Sequence, residues 1–269
     1  ATYAWTTDYT APLIAISSVN PPVEAPSNQN SVSVAFSASE QASFTCAWDS
    51  EPKTPCASPF AFAGFSEGSH TLTLVATDTA GNSSAPTPVS WTSDFTAPTL
   101  QFGQIFPSSD AFVNSANLSI GVVSSEAVVL QATLDGLPLS GTDSPFLVSN
   151  LAEGAHVFSV TAVDLAKNPS ATALTRTFTV DLSAPSVSLS AAISSGATQA
   201  TANSFQFSAS EVATFYCALD GATFAPCASP LSAAGLSDGG HSFRVKAVDL
   251  AGNESATPSV SWTIDTTAP

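Results

Sequence analysis

The residues of this chain whose type and spacing could do chemistry are carboxylates, because five acidic positions return in each of three successive sequence repeats. With Asp265, these positions account for 16 of the 21 acidic residues. Acidity that served only solubility would have no reason to return to the same places, so we expect these side chains to act locally. The recurring residues are Asp8, Asp94 and Asp181; Glu40, Glu126 and Glu211; Asp49, Asp135 and Asp220; Glu67, Glu153 and Asp238; and Asp78, Asp164 and Asp249.

Two local roles fit these carboxylates, and the sequence leaves both open. In the first, the aspartates of the Asp-x-Ala-Gly-Asn segments and of the Asp-Gly turns accept backbone N–H groups and hold loops. In the second, the side chains bind Ca²⁺, a hard cation that takes roughly six to eight oxygen ligands. The candidate calcium ligands are Asp94, Asp181, Glu40, Glu126, Glu211, Asp78, Asp164 and Asp249.

The calcium hypothesis draws on the position of the linker aspartates. Asp94 ends one repeat and Thr96-Ala97-Pro98 opens the next, so a loop of the neighbouring repeat could converge on the same point. An ion bound there would stiffen the junction. No single segment, however, has the dense ligand spacing of an EF-hand loop.

The four cysteines fall into two pairs, and each pair encloses nine residues around a predicted turn. The second repeat has Ala132 and Thr142 at these positions, and two cysteines missing together are most simply two that bond to each other. We predict hairpin disulfides, which persist in oxidising compartments and therefore indicate an extracytoplasmic protein. A zinc site is disfavoured because the pairs lie in different repeats. The predicted bonds are Cys46 with Cys56 and Cys217 with Cys227.

The three histidines, His70, His156 and His241, occur once per repeat in a Gly-x-His step. No two can share a metal within one chain, so a structural use is favoured. On one extended strand His70 and Asp78 would lie roughly 27 Å apart, which excludes them as a catalytic pair. The chain also lacks a Gly-x-Ser-x-Gly elbow, a Gly-rich phosphate loop and a His-Glu-x-x-His helix. We predict that it is not an enzyme.

The elements that must position these residues are predicted to be β-strands. Apolar and polar residues alternate with period two in SVSVAFSASE, HTLTLVATD and VSWTSD of the first repeat and in their counterparts, which is the pattern of half-buried strands. In the second of these segments, Leu72, Leu74 and Ala76 should share one face. Each closing strand carries a large aromatic residue, namely Trp91, Phe178 or Trp262.

The third repeat, FYCALDGATFAPCASPLSAAGLSDGGHSFRVKAVDLAGNESATPSVSWTIDTTAP, resembles the bacterial Ig-like repeats of large secreted and cell-surface proteins. The resemblance extends over almost the whole chain. The second repeat departs from it by lacking both cysteines and by having Lys167 where the others have Gly81 and Gly252. The resemblance implies an Ig-like β-sandwich, a role as a spacer, stalk or adhesive segment, and no catalytic residues.

We therefore predict an all-β protein of three tandem Ig-like antiparallel β-sandwiches arranged as an elongated rod. An Ig-like sandwich needs about 100 residues, and Asp-x-Thr/Ser-Ala-Pro recurs at spacings of 86, 87 and 84 residues. Prolines in the linkers limit bending, and three sandwiches end to end would reach on the order of 100 Å. The predicted boundaries are 1–7 for the last strand of a preceding repeat, 8–93 for repeat 1, 94–180 for repeat 2, 181–264 for repeat 3 and 265–269 for the start of a following repeat.

Residues Ala1 to Thr7 match a closing strand without the rest of its repeat. They are either the end of a truncated repeat or a strand that is donated to another chain, as in donor-strand filaments. Tyr3 and Trp5 are the side chains that would be donated.

Charge narrows the range of partners. The net charge of −16, with only five basic residues, repels phosphate backbones and disfavours binding to nucleic acid. No apolar run approaches the ~18 residues of a membrane span, so we predict no membrane insertion. The expected partners are neighbouring repeats, further copies in a fibre, and a surface glycan or protein ligand.

The function predicted from the sequence is that of a non-catalytic stalk or fibre segment of an extracellular bacterial surface protein, of the adhesin or surface-filament kind. One alternative is a module that binds polysaccharide or protein. Such a module would need a surface of aromatic residues peculiar to one repeat, for which Trp48 and Phe106 are the candidates. A second alternative is a set of accessory repeats in a secreted enzyme.

Overall fold

The computed structural model describes residues 2–103 and 111–268. These residues form 24 β-strands and no helix, which confirms the predicted all-β fold. Three residues that belong to predictions above, Ala1, Phe106 and Pro269, lie outside the described ranges.

The strands are numbered in chain order. Repeat 1 contains β1 (Ile14–Asn20), β2 (Ser31–Ala38), β3 (Ala42–Trp48), β4 (Thr54–Cys56), β5 (Phe60–Ala63), β6 (Gly68–Asp78) and β7 (Thr87–Ser93). Repeat 2 contains β8 (Leu100–Phe102), β9 (Ala111–Val113), β10 (Leu118–Ile120), β11 (Val122–Ser124), β12 (Val128–Leu134), β13 (Leu137–Pro138), β14 (Phe146–Val148), β15 (Gly154–Asp164) and β16 (Leu174–Val180). Repeat 3 contains β17 (Val187–Ala191), β18 (Ala197–Thr198), β19 (Ala202–Ala209), β20 (Ala213–Leu219), β21 (Ala225–Cys227), β22 (Leu231–Ala234), β23 (Gly239–Asp249) and β24 (Ser259–Ile264).

Repeat 1 folds as two facing sheets. One sheet has the strand order β1-β2-β5 and the other β4-β3-β6-β7, and the ladders are antiparallel. The period-two alternation seen in the sequence turns Leu72 and Leu74 of β6 inward, and both are fully buried. Val32 and Val34 of β2 meet them from the opposite sheet, so the apolar halves of the two patterns form one core.

Repeats 2 and 3 follow the same plan. In repeat 3 the sheets are β17-β19-β22 and β18-β24-β23-β20-β21, and in repeat 2 the larger sheet is β13-β12-β15-β16-β9. The short strands β9 and β18 run parallel to β16 and β24, and in repeat 1 a single parallel bridge joins Ser27 to Ser93. Parallel pairing at this edge is not visible in the alternation pattern, because each partner is at most three residues long.

The segment NLSIGVVSSE of repeat 2 differs from its counterparts. The sequence suggests one strand, but the structure has two, on either side of Gly121: β10 pairs with β14, and β11 pairs with β8. Gly121 accepts a backbone hydrogen bond from Gly103 through its carbonyl oxygen (2.9 Å). A glycine in a strand interior weakens the strand and marks a close backbone approach, which accounts for the division.

Each repeat has its own buried core. The buried residues of the three clusters lie within 32–91, 120–180 and 205–264. The aromatic residues predicted on the closing strands are all buried: Trp91 is 3 % exposed, Phe178 1 % and Trp262 3 %. The prediction of three tandem β-sandwiches is thereby confirmed.

Residues 2–13 precede β1 and contain no strand. Tyr3 and Trp5 are 87 % and 79 % exposed, so neither packs on the cores described above. The donation of this segment to another chain stays a prediction.

Candidate metal centre

Three structural elements bring carboxylates together at one end of each sandwich. In each repeat the linker aspartate precedes the first strand. A glutamate follows a strand of the opposite sheet, and an aspartate ends the longest strand, which is β6, β15 or β23. In repeat 2 these are Asp94 before β8, Glu126 after β11 and Asp164 at the end of β15. All three elements start or stop at the same pole of the sandwich, which is why the side chains converge.

In each of the three clusters, one oxygen from each carboxylate lies within 4.8 Å of the others. The structure thus brings together every sequence-predicted calcium ligand, and it adds Asp8 as the linker member of the first cluster. The clusters are Asp8, Glu40 and Asp78; Asp94, Glu126 and Asp164; and Asp181, Glu211 and Asp249.

The buried aspartate of each cluster also holds the loop that follows it. Asp78 Oδ1 accepts the backbone N–H groups of Ala80 and Asn82, both at 2.8 Å, and Asp78 Oδ2 accepts the Asn82 side-chain amide at 2.8 Å. These bonds lower the pKa of Asp78, led by the one from the Asn82 side chain. Asp164 with Asn168 and Asp249 with Asn253 repeat the arrangement. The aspartates predicted to hold loops, Asp78, Asp164 and Asp249, are therefore also members of the carboxylate clusters.

The same asparagines attach the linker to the repeat that follows. The Asn168 side-chain amide donates to the backbone carbonyl of Asp94 at 2.9 Å, and the Asn253 amide donates to that of Asp181 at 2.9 Å. Asn82 makes the equivalent bond to Asp8 at 3.1 Å. The linker backbone at each cluster is therefore fixed by the loop of its own repeat.

A fourth acidic residue grips the linker from the preceding repeat. The Glu67 carboxylate, in the loop before β6, accepts hydrogen bonds from the Thr96 hydroxyl (2.8 Å) and the Phe95 N–H (3.3 Å). Glu153 binds the Ser183 hydroxyl and the Leu182 N–H in the same way. Each of these linkers is thus held from both sides, by a carboxylate of one repeat and by an asparagine of the next.

Like charge accumulates where these groups meet. Burial raises the pKa of Glu126 above its ordinary value, and the negative charges of Asp94, Asp164 and Glu67 raise it further. The pKa of Glu211 is raised by burial and then by Asp181, Asp249 and Glu153. Repulsion between carboxylates disfavours the ionised state, and a cation bound among them would relieve it.

The donor set suits a hard cation. Carboxylate oxygens are the ligands that Ca²⁺ and Mg²⁺ take in proteins, whereas zinc and softer metals favour imidazole and thiolate. The three clusters contain neither histidine nor cysteine. Chemically, such a site can bind a divalent cation and thereby join a linker to two loops of the following sandwich.

The cysteines lie apart from these clusters and form the predicted hairpin disulfides. Cys46 is bonded to Cys56 and Cys217 to Cys227, each with a Cα–Cα distance of 5.8 Å. The bonds join β3 to β4 and β20 to β21. Repeat 2 forms the equivalent hairpin, between β12 and β13, without a disulfide.

The sequence reasoning missed the partner of each histidine. His70 does not face Asp78 but binds Asp49, in the turn after β3, at 2.9 Å, and His156 and His241 bind Asp135 and Asp220 at 2.7 and 2.8 Å. The signal was present in the sequence, because the aspartate precedes the histidine by 21 residues in every repeat.

Together, the paired sheets, the separate cores and the linkers define a protein of tandem Ig-like β-sandwiches. The model of the bacterial Ig-like domain (group 3) family matches residues 57–145 and 140–214, which is more than half of the chain. The chain therefore belongs to that family, as its resemblance implied. Among curated proteins, none matches the chain at a significant level.

Solved structures of tandem domains are similar to this chain at low sequence identity. A solved chain from a study of a 1.5-MDa bacterial ice-binding adhesin is 18% identical, with 97% of this chain and 100% of that solved chain covered and a TM-score of 0.38. A Ca²⁺-stabilized adhesin of an Antarctic bacterium is 19% identical, with coverages of 97% and 76% and a TM-score of 0.38. Three domains of the outer capsid protein Hoc of bacteriophage RB49 are 9% identical, with coverages of 96% and 100% and a TM-score of 0.46. Similarity at this level indicates nothing about function.

The described residues include no helix with the length and apolar character needed to cross a membrane.

Proposed function

We propose that this chain is a non-catalytic stalk or fibre segment of an extracellular bacterial surface protein, of the adhesin or surface-filament kind, and that Ca²⁺ bound at its junctions holds successive sandwiches in line. The observation that carries the proposal is that the same carboxylate cluster recurs at the start of each repeat, and that the clusters of Asp94 and Asp181 lie between successive sandwiches. A single acidic patch would carry little weight, whereas the recurrence of one cluster in three repeats supports a shared mechanical role.

The contacts around the linker between repeats 1 and 2 support this role. On one side Phe95 packs against the core of repeat 1, and Glu67 holds Thr96. On the other side Asn168 holds the Asp94 carbonyl. Calcium bound by Asp94, Glu126 and Asp164 would tie the same linker to two further loops of repeat 2. The proposed boundaries of the repeats stay at 8–93, 94–180 and 181–264, and the proposed shape is a rod.

The non-catalytic part of the proposal is supported by how the histidines are used. Both ring nitrogens of His70 are engaged, one by Asp49 and the other by the Ser66 carbonyl. The ring is 6 % exposed, and its counterparts in the other repeats are bonded in the same way. A general base needs a nitrogen that substrate can reach.

The extracellular part rests on the two disulfides together with the family. Disulfides persist in oxidising compartments and are rare in the cytosol of mesophiles. The proposed partners are the neighbouring repeats of the same chain, further copies in a fibre, and a glycan or protein ligand at the surface.

Thermal unfolding with and without calcium tests the proposal. We expect the melting temperature to rise when Ca²⁺ is added after EGTA treatment, because a ligand that binds only the folded state stabilises it by about 2.7 kcal/mol at a hundredfold excess over its Kd. Isothermal titration should detect binding at the three clusters.

Matched variants test whether the calcium response comes from the clusters or from the overall negative charge of the chain. Replacing Glu40, Glu126 and Glu211 by Gln should abolish the calcium response. Replacing the exposed Glu24 and Glu51 by Gln and Asp143 by Asn removes the same charge outside the clusters and should leave the response intact. Equal melting curves in calcium and in EGTA would overturn the calcium proposal.

A further inference from the structure

Each histidine ring lies between two oxygen atoms that accept hydrogen bonds. In repeat 1, His70 Nδ1 lies 2.9 Å from Asp49 Oδ2 and His70 Nε2 lies 2.8 Å from the Ser66 carbonyl oxygen. The corresponding distances are 2.7 and 2.9 Å for His156, with Asp135 and the Ala152 carbonyl. They are both 2.8 Å for His241, with Asp220 and the Ser237 carbonyl. The arrangement is the same in all three repeats.

A neutral imidazole cannot satisfy both contacts with an ionised carboxylate. It carries one N–H, whereas a carbonyl oxygen and an ionised carboxylate oxygen only accept. The second nitrogen would then point a lone pair at an acceptor, at hydrogen-bond distance and in a buried site. Either the ring carries two protons or the aspartate carries one.

The remaining contacts of the aspartate favour the proton on the ring. Asp49 Oδ1 accepts the backbone N–H of Thr71 at 2.7 Å, and Asp135 and Asp220 accept those of Val157 and Ser242 at 2.8 Å. A backbone N–H donated to a carboxylate stabilises its ionised form. The histidine rings also pack on aromatic faces, His70 at 5.4 Å from Trp48 and His156 at 5.5 Å from Phe178, which is a favourable setting for a cation.

We propose that His70, His156 and His241 are imidazolium ions at neutral pH. Each ring joins, through two hydrogen bonds, the turn that contains its aspartate to the loop whose acidic residue binds the following linker, and we call this set of contacts the clasp. This clasp is a property of the folded repeat and does not depend on calcium or on the role of the chain as a stalk.

The contacts run without interruption from the turn to the linker. In repeat 1 they pass from Asp49 through His70 to the carbonyl of Ser66, whose neighbour Glu67 holds Phe95 and Thr96. In repeat 3 they pass from Asp220 through His241 to Ser237, and the adjacent Asp238 holds Thr266. Loss of the ring proton would therefore loosen the support of the linker.

The charged groups around each ring agree with this assignment. Burial lowers the pKa of His70, but the hydrogen bonds of Asp49 and Ser66 and the negative charge of Asp49 outweigh it, so the net pKa is raised. The same holds for His156 with Asp135, and for His241 the Ser237 carbonyl has the largest effect, followed by Asp220. Of the elements packed against His70, β7 contains no charged residue, and Glu67 in the preceding loop directs its carboxylate to Phe95 and Thr96.

The sign of the pH dependence follows from these directions. A histidine whose pKa is raised by folding contributes stability that is fully present below its unfolded value of about 6.5 and is lost as pH rises through the folded value. Asp49, Asp135 and Asp220 have lowered pKa values, because hydrogen bonds and the histidine charge outweigh burial. Their contribution is present above their unfolded value of about 4 and is lost as pH falls through the folded value. The clasp is thus strongest in the mildly acidic range between these limits.

Nitrogen-15 NMR of the full chain tests the protonation state directly. At pH 7 we expect all three rings to show two protonated nitrogens, and each ring to lose its second proton only above neutral pH. The backbone N–H signals of Thr71 and Phe95 should shift with the midpoint of His70, since both lie along its chain of contacts. Neutral rings at pH 7, with one protonated nitrogen each, would overturn the proposal.

The variant Asp49→Asn removes the negative charge beside His70, and asparagine can adopt the backbone conformation of this position. Asp49 has φ 46°, and asparagine is among the residues that adopt this region readily. Its amide can donate to Nδ1 of a neutral ring, so the fold should be retained. We expect the proton affinity of His70 to fall at least about tenfold, while His156 and His241 keep theirs and serve as references in the same molecule. An unchanged His70 midpoint in this variant would contradict the proposal.

Discussion

At the scale of single residues, the aspartate at the end of each long strand does two things at once. Asp164 binds the backbone and side chain of Asn168, and it also turns an oxygen toward Asp94 and Glu126. A carboxylate has about four lone-pair sites, so the loop bonds leave capacity for a cation. The two roles that the sequence presents as alternatives are therefore compatible.

Asn168 connects loop and linker, and its removal should be costly. It is 8 % exposed and donates to both Asp164 and Asp94. We expect Asn168→Ala to lower the free energy of unfolding of repeat 2 by about 1–3 kcal/mol, because buried acceptors lose their donor. Urea denaturation measures the change.

The exposed Gln131→Ala on β12 provides the control for this variant, because surface changes away from such features stay within about 0.5 kcal/mol. Equal effects of the two variants would show that the amide of Asn168 contributes nothing specific.

Sequence reasoning at this scale found the right residue types but not all of their partners. The calcium candidates recur at the same positions of the repeats, and the structure gathers them into clusters. The pairing of Asp49 with His70 was missed because the two lie 21 residues apart on neighbouring elements, and strand register decides which residues meet. The alternation pattern predicts faces but not register.

At the scale of strands, the two faces of β6 should respond very differently to substitution. Leu74 is fully buried in the core of repeat 1, whereas its neighbour Thr73 lies on the opposite face and is half-buried. We expect Leu74→Ala to cost about 2–5 kcal/mol and Thr73→Ala about 0.5 kcal/mol or less. Chemical denaturation followed by fluorescence reports the change, because Trp91 lies in the same core.

This pair of variants also tests the alternation from which the strand was predicted. A larger effect of Thr73→Ala than of Leu74→Ala would mean that the strand presents its other face to the core.

The hairpin disulfides should stabilise repeats 1 and 3 but cannot act in repeat 2. Each closes a short loop with a sequence separation of 10, for which the chain-entropy estimate is about 2–3 kcal/mol. We expect replacement of both Cys46 and Cys56 by Ala to destabilise repeat 1 by that amount. Unfolding of the variant and of the parent chain, each followed by tryptophan fluorescence, measures the loss.

A reductant provides the control for the disulfide. It should lower the stability of the parent chain and leave the remaining repeat-1 signal of the variant unaffected. If the parent unfolds at the same denaturant concentration with and without reductant, the bonds do not stabilise the fold.

The strands were predictable from sequence to different degrees. The long strands β6, β15 and β23 follow directly from their alternation, because half-buried strands require it. The division of β10 from β11 and the short parallel strands β9 and β18 depend on tertiary contacts. A strand of two or three residues is too short to show an alternating pattern in the sequence.

At the scale of the whole molecule, the junctions decide whether the chain is a rod or a string of loosely joined sandwiches. The family matches run from 57 to 145 and from 140 to 214, so each spans a proposed junction. Linker prolines such as Pro98 limit bending even without metal. The contacts of Glu67 and Asn168 add two further restraints, and calcium would add a third.

Small-angle X-ray scattering of the chain in Ca²⁺ and in EGTA tests this account most directly. With calcium we expect an extended particle with a maximum dimension on the order of 100 Å. In EGTA, and in calcium for the variant with Glu40, Glu126 and Glu211 replaced by Gln, we expect a smaller radius of gyration and a broader distribution of distances. Superimposable scattering curves from the parent chain in the two solutions would contradict the claim that calcium stiffens the junctions.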